Sequence, residues 1–230
     1  VIITITQHAY RMEHIMSHNT TYWTVEDGAN FKPQLSQFNQ YLHHDGDCIA
    51  GGFAKHVFTG ARPRDLDLYF INEQNMKDTY NRMISDGWEQ SYTNANATGL
   101  RRDHTSVDLV TYSYGTAENI INGFDFSITK FAYRMIADGK SIRYEAVFHP
   151  DFFEHLTTHR LVIDDDMVMP LSTFQRMFKY TRYGYNMCRE SKVKLLMAIR
   201  EWTGTTDINH TPTTNDLEEA LSSSLYESID

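Results

Sequence analysis

The sequence predicts an α/β fold of the mixed α+β kind, with short helices set between the strands of a small mixed sheet. Three observations carry that class. Cys48-Ile49-Ala50 is an apolar run of strand length, followed by Gly51-Gly52 and then by Phe53, Val57 and Phe58 at helical spacing. Asp65-Leu66-Asp67-Leu68-Tyr69-Phe70 alternates with the period of a strand. Ser106-Val107-Asp108-Leu109-Val110-Thr111-Tyr112 alternates again and is rich in β-branched and aromatic residues.

Residues 1–47 precede this unit as an N-terminal extension, in which Pro33 opens a helix through Tyr41. The strand 48–50 turns at the glycine pair into a helix over 53–59, with Gly60 as its stop signal. The strand 65–70 places Asp65 and Asp67 on one face and Leu66 and Leu68 on the other. A helix over Asn75–Ser85, an Asp86-Gly87 turn and strands around Trp88–Thr93 and Leu100–Arg102 fill the interval to Asp108, which follows Asp67 by 41 positions. Ser172 followed by Gln175 reads as a capping box, so a helix is expected to start there and run to Trp202 with a break near Gly184. The expected organisation is a catalytic domain over 48–160, a helical neck over 161–202 and an acidic tail over 203–230. That tail reads as a linker followed at most by one short helix, Asp216–Tyr226.

The chemistry concentrates at the start of the catalytic segment. Glycines at a strand-to-helix turn let the backbone approach a triphosphate, and N–H groups at the helix start point toward negative charge. Two carboxylates on one face of a strand repel unless a cation lies between them, which predicts a divalent metal, Mg²⁺ or Mn²⁺.

In register and without insertion, Gly51, Gly52, Lys55, Phe58, Gly60, Pro63, Asp65 and Asp67 resemble the head of the class II CCA-adding enzymes and bacterial poly(A) polymerases, within the polymerase β-like nucleotidyltransferases. His56 stands where that family has Asp. Asp125-Phe126-Ser127-Ile128-Thr129-Lys130-Phe131-Ala132-Tyr133 is similar to a further family segment that forms a helix behind the site, although Gly123-Phe124 replaces the usual Arg-Arg. The stretch from Pro170 to Tyr180 looks like the family's neck helix, without its Glu-Asp-x-x-Arg motif.

The resemblance implies transfer of a nucleoside monophosphate from an NTP to an acceptor hydroxyl. Asp65, Asp67 and Asp108 would be catalytic metal ligands, and Gly51 and Gly52 would hold the triphosphate. Lys55, Arg64, Asp125 and Lys130 would be further nucleotide contacts. The favoured acceptor is an RNA 3′ end, that of tRNA first, with Arg176, Lys179 and Arg182 as a phosphate-tracking face. The alternatives are a protein or small-molecule acceptor, or a non-catalytic NTP-binding or assembly protein.

Composition sets the outer limits. With 41% apolar residues, 230 residues can bury a core for one domain and a helical appendage. A net charge of −9 excludes a general nucleic-acid binder, although seven basic against two acidic side chains lie between Ser172 and Trp202. Six acidic residues and no Lys or Arg occupy 203–230. Two cysteines, Cys48 in a core strand and Cys188 in the neck helix, point to free thiols in a reducing, cytoplasmic setting. No apolar run approaches the roughly 18 residues of a membrane span, and no signal peptide is expected. Asp151, His155 and His159 share a face if helical, but they lack a further ligand and the His-Glu-x-x-His pattern, so no zinc site is expected. His14 with His18 and the His43-His44 pair argue for one even less.

Overall fold

The computed structural model describes residues 13–17, 20–26, 32–43, 46–59, 66–138, 141–164, 167 and 169–201. It falls into two compact units, residues 1–122 with 129–150, and residues 123–128 with 151–230.

The first unit runs β1 (Glu13–Ser17), β2 (Thr20–Glu26), α1 (Lys32–Ser36), β3 (Cys48–Ala50), α2 (Gly52–Thr59), β4 (Asp67–Phe70) and α3 (Glu73–Ser85). It continues with β5 (Glu89–Thr93), β6 (Ala97–Arg102), β7 (Thr105–Tyr114), α4 (Ala117–Asn122), β8 (Phe131–Asp138) and β9 (Ser141–Phe148). Among the described residues the strands form one mixed sheet in the order β1-β2-β9-β8-β3-β4-β7-β6-β5. β4 and β7 pair in parallel, and the long interval between Asp67 and Asp108, which holds α3, β5 and β6, supplies the crossover that parallel strands need.

The apolar alternation read from sequence becomes the core. Ile49, Leu66, Leu68, Val107 and Leu109 are all buried, while α2 packs on β3 and β8 and α3 on β4 and β7. Asn72 caps α3 by accepting the Asn75 backbone N–H at 2.9 Å. Buried Asp47 accepts from the Ile71 N–H at 2.9 Å, the Asn75 amide at 3.0 Å and the His43 N–H at 2.9 Å, fixing the approach to β3 against the β4–α3 corner. Arg134 on β8 pairs with Glu118 of α4 and Glu145 of β9, each at 2.7 Å.

Several local expectations are corrected here. Residues 13–17 and 20–26 of the N-terminal extension add β1 and β2 to the sheet, β2 lying against β9. The helix expected from Pro33 through Tyr41 ends at Ser36 and continues as turns, although Phe38, Tyr41 and Leu42 stay buried. The helix expected after Asp125 is a single 3₁₀ turn, Ser127–Thr129, followed by β8. The aromatic and apolar run Phe131-Ala132-Tyr133 is buried on both faces between β3 and β9, which a central strand satisfies.

In the second unit, α5 (Phe152–Thr157), β10 (Arg160–Leu161), α6 (Pro170–Arg182), β11 (Asn186–Met187) and α7 (Arg189–Glu201) surround the segment 123–128. Phe126, Leu161, Ile163, Met187 and Leu195 share its core, and β10 pairs in parallel with β11. α6 begins at Pro170 with Met169 as N-cap, so Ser172 lies within the first turn and the expected capping box is absent. Proline starts the helix there because its fixed φ is already helical and its missing N–H would have had no intrahelical partner. The break expected near Gly184 is present and is filled by β11; Cys188 falls between β11 and α7, outside the helix. His155 lies in α5 but His159 lies beyond it at φ 53°, so the two do not share a helix face. The linker, short helix and acidic tail expected over 203–230 lie outside the described residues.

Candidate active site

Asp67 and Asp108 are register partners across the parallel pair β4–β7. Partners in a sheet project to the same face, so the two carboxylates stand side by side on neighbouring strands. The same row continues in both directions: Ala50 of β3 is opposite Asp67, and Gly99 of β6 is opposite Asp108. Neighbouring Leu66, Leu68 and Leu109 are buried, whereas Asp67 and Asp108 remain half-buried and reachable. The Asp108 N–H donates to the Leu66 carbonyl at 2.8 Å, locking this register. Tyr69, two residues past Asp67, has its phenol pKa pushed well up by burial, by the Asp67 charge and by its hydrogen bond with Tyr112.

Ala50 leads directly into the glycine turn. Gly51 has φ 75°, a left-handed conformation that side chains rarely adopt, and its N–H donates to the Phe131 carbonyl at 2.9 Å. Gly52 begins α2 and is exposed, and a Cβ there would meet no atom within 4 Å, whereas Phe53, Ala54 and Lys55 of the same turn are buried. Burial lowers the ammonium pKa of Lys55.

Two carboxylates beside an open helix start form an oxygen donor set suited to a hard divalent cation. Among the described residues no group of three or more His, Cys, Asp or Glu is assembled. Asp65 and Arg64 lie outside the described residues. Elsewhere, Lys130 is fully buried and donates to the Asn122 carbonyl at 3.1 Å. Asp125 is buried and is ion-paired with Arg176 of α6. Lys179 and Arg182 are exposed on α6. Gly99 and the Tyr92 ring laid over it belong to the same row and were not singled out from sequence. A lone glycine inside an alternating strand was the available signal, since it marks a bulge or a close approach.

The described family Gad2, Gabija anti-defense 2 family protein, matches residues 28–159, more than half of the chain. The chain belongs to this family. In structure it is similar to the Thermotoga maritima CCA-adding enzyme complexed with tRNA, at 15% identity and TM-score 0.55, covering 84% of this chain and 46% of that one. It is also similar to a CCA-adding enzyme in complex with CTP, at 14% identity and TM-score 0.55, covering 84% and 47%. At this identity the likeness shows the fold alone, that of a nucleotidyltransferase head, and the chain spans about half the length of these relatives. No curated protein matches the chain in sequence. The resemblance read from the glycine and aspartate motif therefore holds at the level of the fold, while the family is the anti-defense one. Among the described residues no helix is long and apolar enough to cross a membrane.

Proposed function

We propose that the protein is a metal-dependent nucleotidyltransferase that acts against the Gabija system by moving a nucleoside monophosphate from an NTP onto a hydroxyl of a component of that system. The observation that carries this reading is the placement of Asp67 beside Asp108, one strand from the Gly51-Gly52 turn. The family name supports the target, and the likeness to CCA-adding enzymes supports the fold on which such chemistry occurs.

In this reading Asp67 and Asp108, joined by Asp65, hold Mg²⁺ or Mn²⁺. When bound, the cation supplies a lowered hydroxyl pKa and charge neutralisation at the leaving pyrophosphate. The backbone N–H groups of Gly52 and the first turn of α2 bind phosphate oxygens, and the absence of a Cβ leaves them room. Asp108, on the strand farther from the glycine turn, takes the acceptor's proton. One bond forms from the acceptor oxygen to the α-phosphorus, and the bond from that phosphorus to pyrophosphate breaks. Lys55 and Arg64 reach the outer phosphate oxygens. Asp125 and Lys130, engaged with Arg176 and Asn122, serve as supports of the surrounding backbone rather than as nucleotide contacts.

A second reading keeps the acceptor as an RNA 3′ end, that of tRNA included, and rests on the exposed Lys179 and Arg182 of α6. Incubation of the protein with α-labelled NTPs, Mg²⁺ and either purified Gabija components or total RNA separates the two. Label on a Gabija component supports the first reading. Label confined to RNA supports the second, and no pyrophosphate release with either acceptor contradicts both.

A further inference from the structure

The sheet register gives the candidate site two unlike ends. Ala50, Asp67, Asp108 and Gly99 form one row across β3, β4, β7 and β6. To one side of that row β3 runs into the Gly51-Gly52 turn. Exposed Arg101 stands on the same side, two residues past Gly99 and on the same face of β6, opposite Ser106 of β7. Backbone N–H groups and a guanidinium are partners for phosphate oxygens, so an NTP bound here places its outer phosphates at this end. To the other side of the row stand Tyr69, two residues past Asp67, and Tyr112, four past Asp108. Leu68 pairs with Leu109 but Phe70 pairs with Tyr114, so β7 carries extra residues over this stretch and bulges. Within the bulge the Tyr112 phenol shares a hydrogen bond with that of Tyr69. Tyr69 projects to the face of Asp67 and is buried, whereas Tyr112, held beside it, is 59% exposed.

An NTP with its outer phosphates at the glycine end and its α-phosphate at the carboxylate row extends its nucleoside past the row, toward the two tyrosines. Tyr69 lies two strand residues from Asp67, roughly 7 Å along the strand, which is the scale of the distance from an α-phosphate across a ribose to its base. Resting on the nucleotidyltransferase reading above, we propose that Tyr112 is the nucleotide-positioning residue, its exposed ring stacking on the nucleobase of the NTP while the hydrogen bond to Tyr69 fixes the direction of the ring. Stacking engages the flat face that every base has and not the donors and acceptors on its edge. The ligand class this selects is therefore a nucleoside triphosphate of any base, in preference to a polyphosphate that lacks one.

Securing the bulge through Tyr69 would also place a tyrosine here, and the two roles differ in what a substitution changes. Tyr112→Phe removes the hydrogen bond and keeps the ring; Tyr112→Ala removes both. The probes are each of the common NTPs and ribose 5′-triphosphate, which has no base, titrated calorimetrically with Mg²⁺ and without acceptor. The expected result for Tyr112→Ala is a Kd for the tightest-binding NTP raised about tenfold or more, the scale of one base lost from an aromatic ring. Its Kd for ribose 5′-triphosphate should be unchanged, and Tyr112→Phe should stay within about threefold of wild type for both ligands. An unchanged NTP Kd in Tyr112→Ala, an equal loss for ribose 5′-triphosphate, or a loss in Tyr112→Phe as large as that in Tyr112→Ala would overturn the proposal. Binding of neither kind of ligand by the wild type would instead remove the nucleotidyltransferase reading beneath it.

Discussion

Gly51 and Gly52 look alike in sequence and differ in what they need from having no side chain. Gly51 is fixed by its backbone, because φ 75° is a strained conformation for any residue with a Cβ. Gly52 has ordinary backbone geometry and open space around it, so its lack of a Cβ matters only to something arriving from outside. Gly51→Ala should therefore lower stability by about 1–2 kcal/mol, read as a shift in thermal or denaturant midpoint. Gly52→Val should leave that midpoint nearly unchanged and raise the Kd of an Mg²⁺–NTP complex by about tenfold or more, measured by calorimetric titration. Equal effects of the two changes on stability would contradict the division. From sequence, Gly51, Gly52, Asp65 and Asp67 are legible as one motif because its spacing is local, whereas Asp108, 41 positions beyond Asp67, enters only through the family resemblance. The register that brings Asp108 to Asp67 rather than to a neighbour was not legible, since it depends on the pairing of strands separated by a whole helix.

At the scale of elements, Arg176 differs from Lys179 and Arg182 on the same basic helix. Its spacing with Lys179 and Arg182 suggested successive phosphate contacts, yet the side chain turns inward to Asp125, a buried carboxylate in the segment 123–128. Ser127, two residues on, is held by the His155 ring at 2.8 Å, and Phe126 packs edge-on against Tyr180. These contacts tie 123–128 to α5 and α6 of its unit. Arg176→Ala should cost roughly 1–3 kcal/mol, the value of a charge-assisted hydrogen bond to a buried acceptor, whereas Lys179→Ala should fall within about 0.5 kcal/mol of wild type. Denaturant titration of the two variants checks this, and equal midpoints would contradict the assigned role of Arg176. The sequence offers Asp125 as a nucleotide contact and gives no sign of its pairing with Arg176, because that pairing spans two distant segments. The start of α6 was misjudged for a different reason: Ser172 and Gln175 satisfy a capping pattern, while Pro170 supplies a stronger helix start two residues earlier.

For the molecule as a whole, the structure links stability to pH, and the proposed activity depends on a divalent metal. Burial lowers the His155 pKa below its ordinary 6.5, against the opposing charges of Asp151, Glu154 and Asp164 and with the help of Arg160. The native state thus favours neutral imidazole, and the unfolded chain takes up a proton first as the pH falls through 6.5. Stability contributed by this group is complete above that pH and declines below it. The wild-type unfolding midpoint should fall between pH 7.5 and pH 5.5 by more than that of His155→Gln, and identical pH profiles would contradict the assignment. The mixed α/β class and the site strands were readable from alternation and motif, whereas the parallel pairing of β4 with β7 was not. The joining of residues 13–17 and 20–26 to the far edge of the sheet was not, because pairing with β9 depends on a partner more than a hundred residues away. The central claim is that Asp67 and Asp108 jointly hold a divalent cation needed for nucleotidyl transfer. A Mn²⁺ titration followed by electron paramagnetic resonance, with NTP present and with Asp67→Ala and Asp108→Ala as separate variants, tests it most directly. The account predicts that each variant binds Mn²⁺–NTP at least tenfold more weakly than wild type, releases no pyrophosphate and melts at the wild-type temperature. Binding of Mn²⁺–NTP by Asp67→Ala and Asp108→Ala as tight as that of wild type would contradict it.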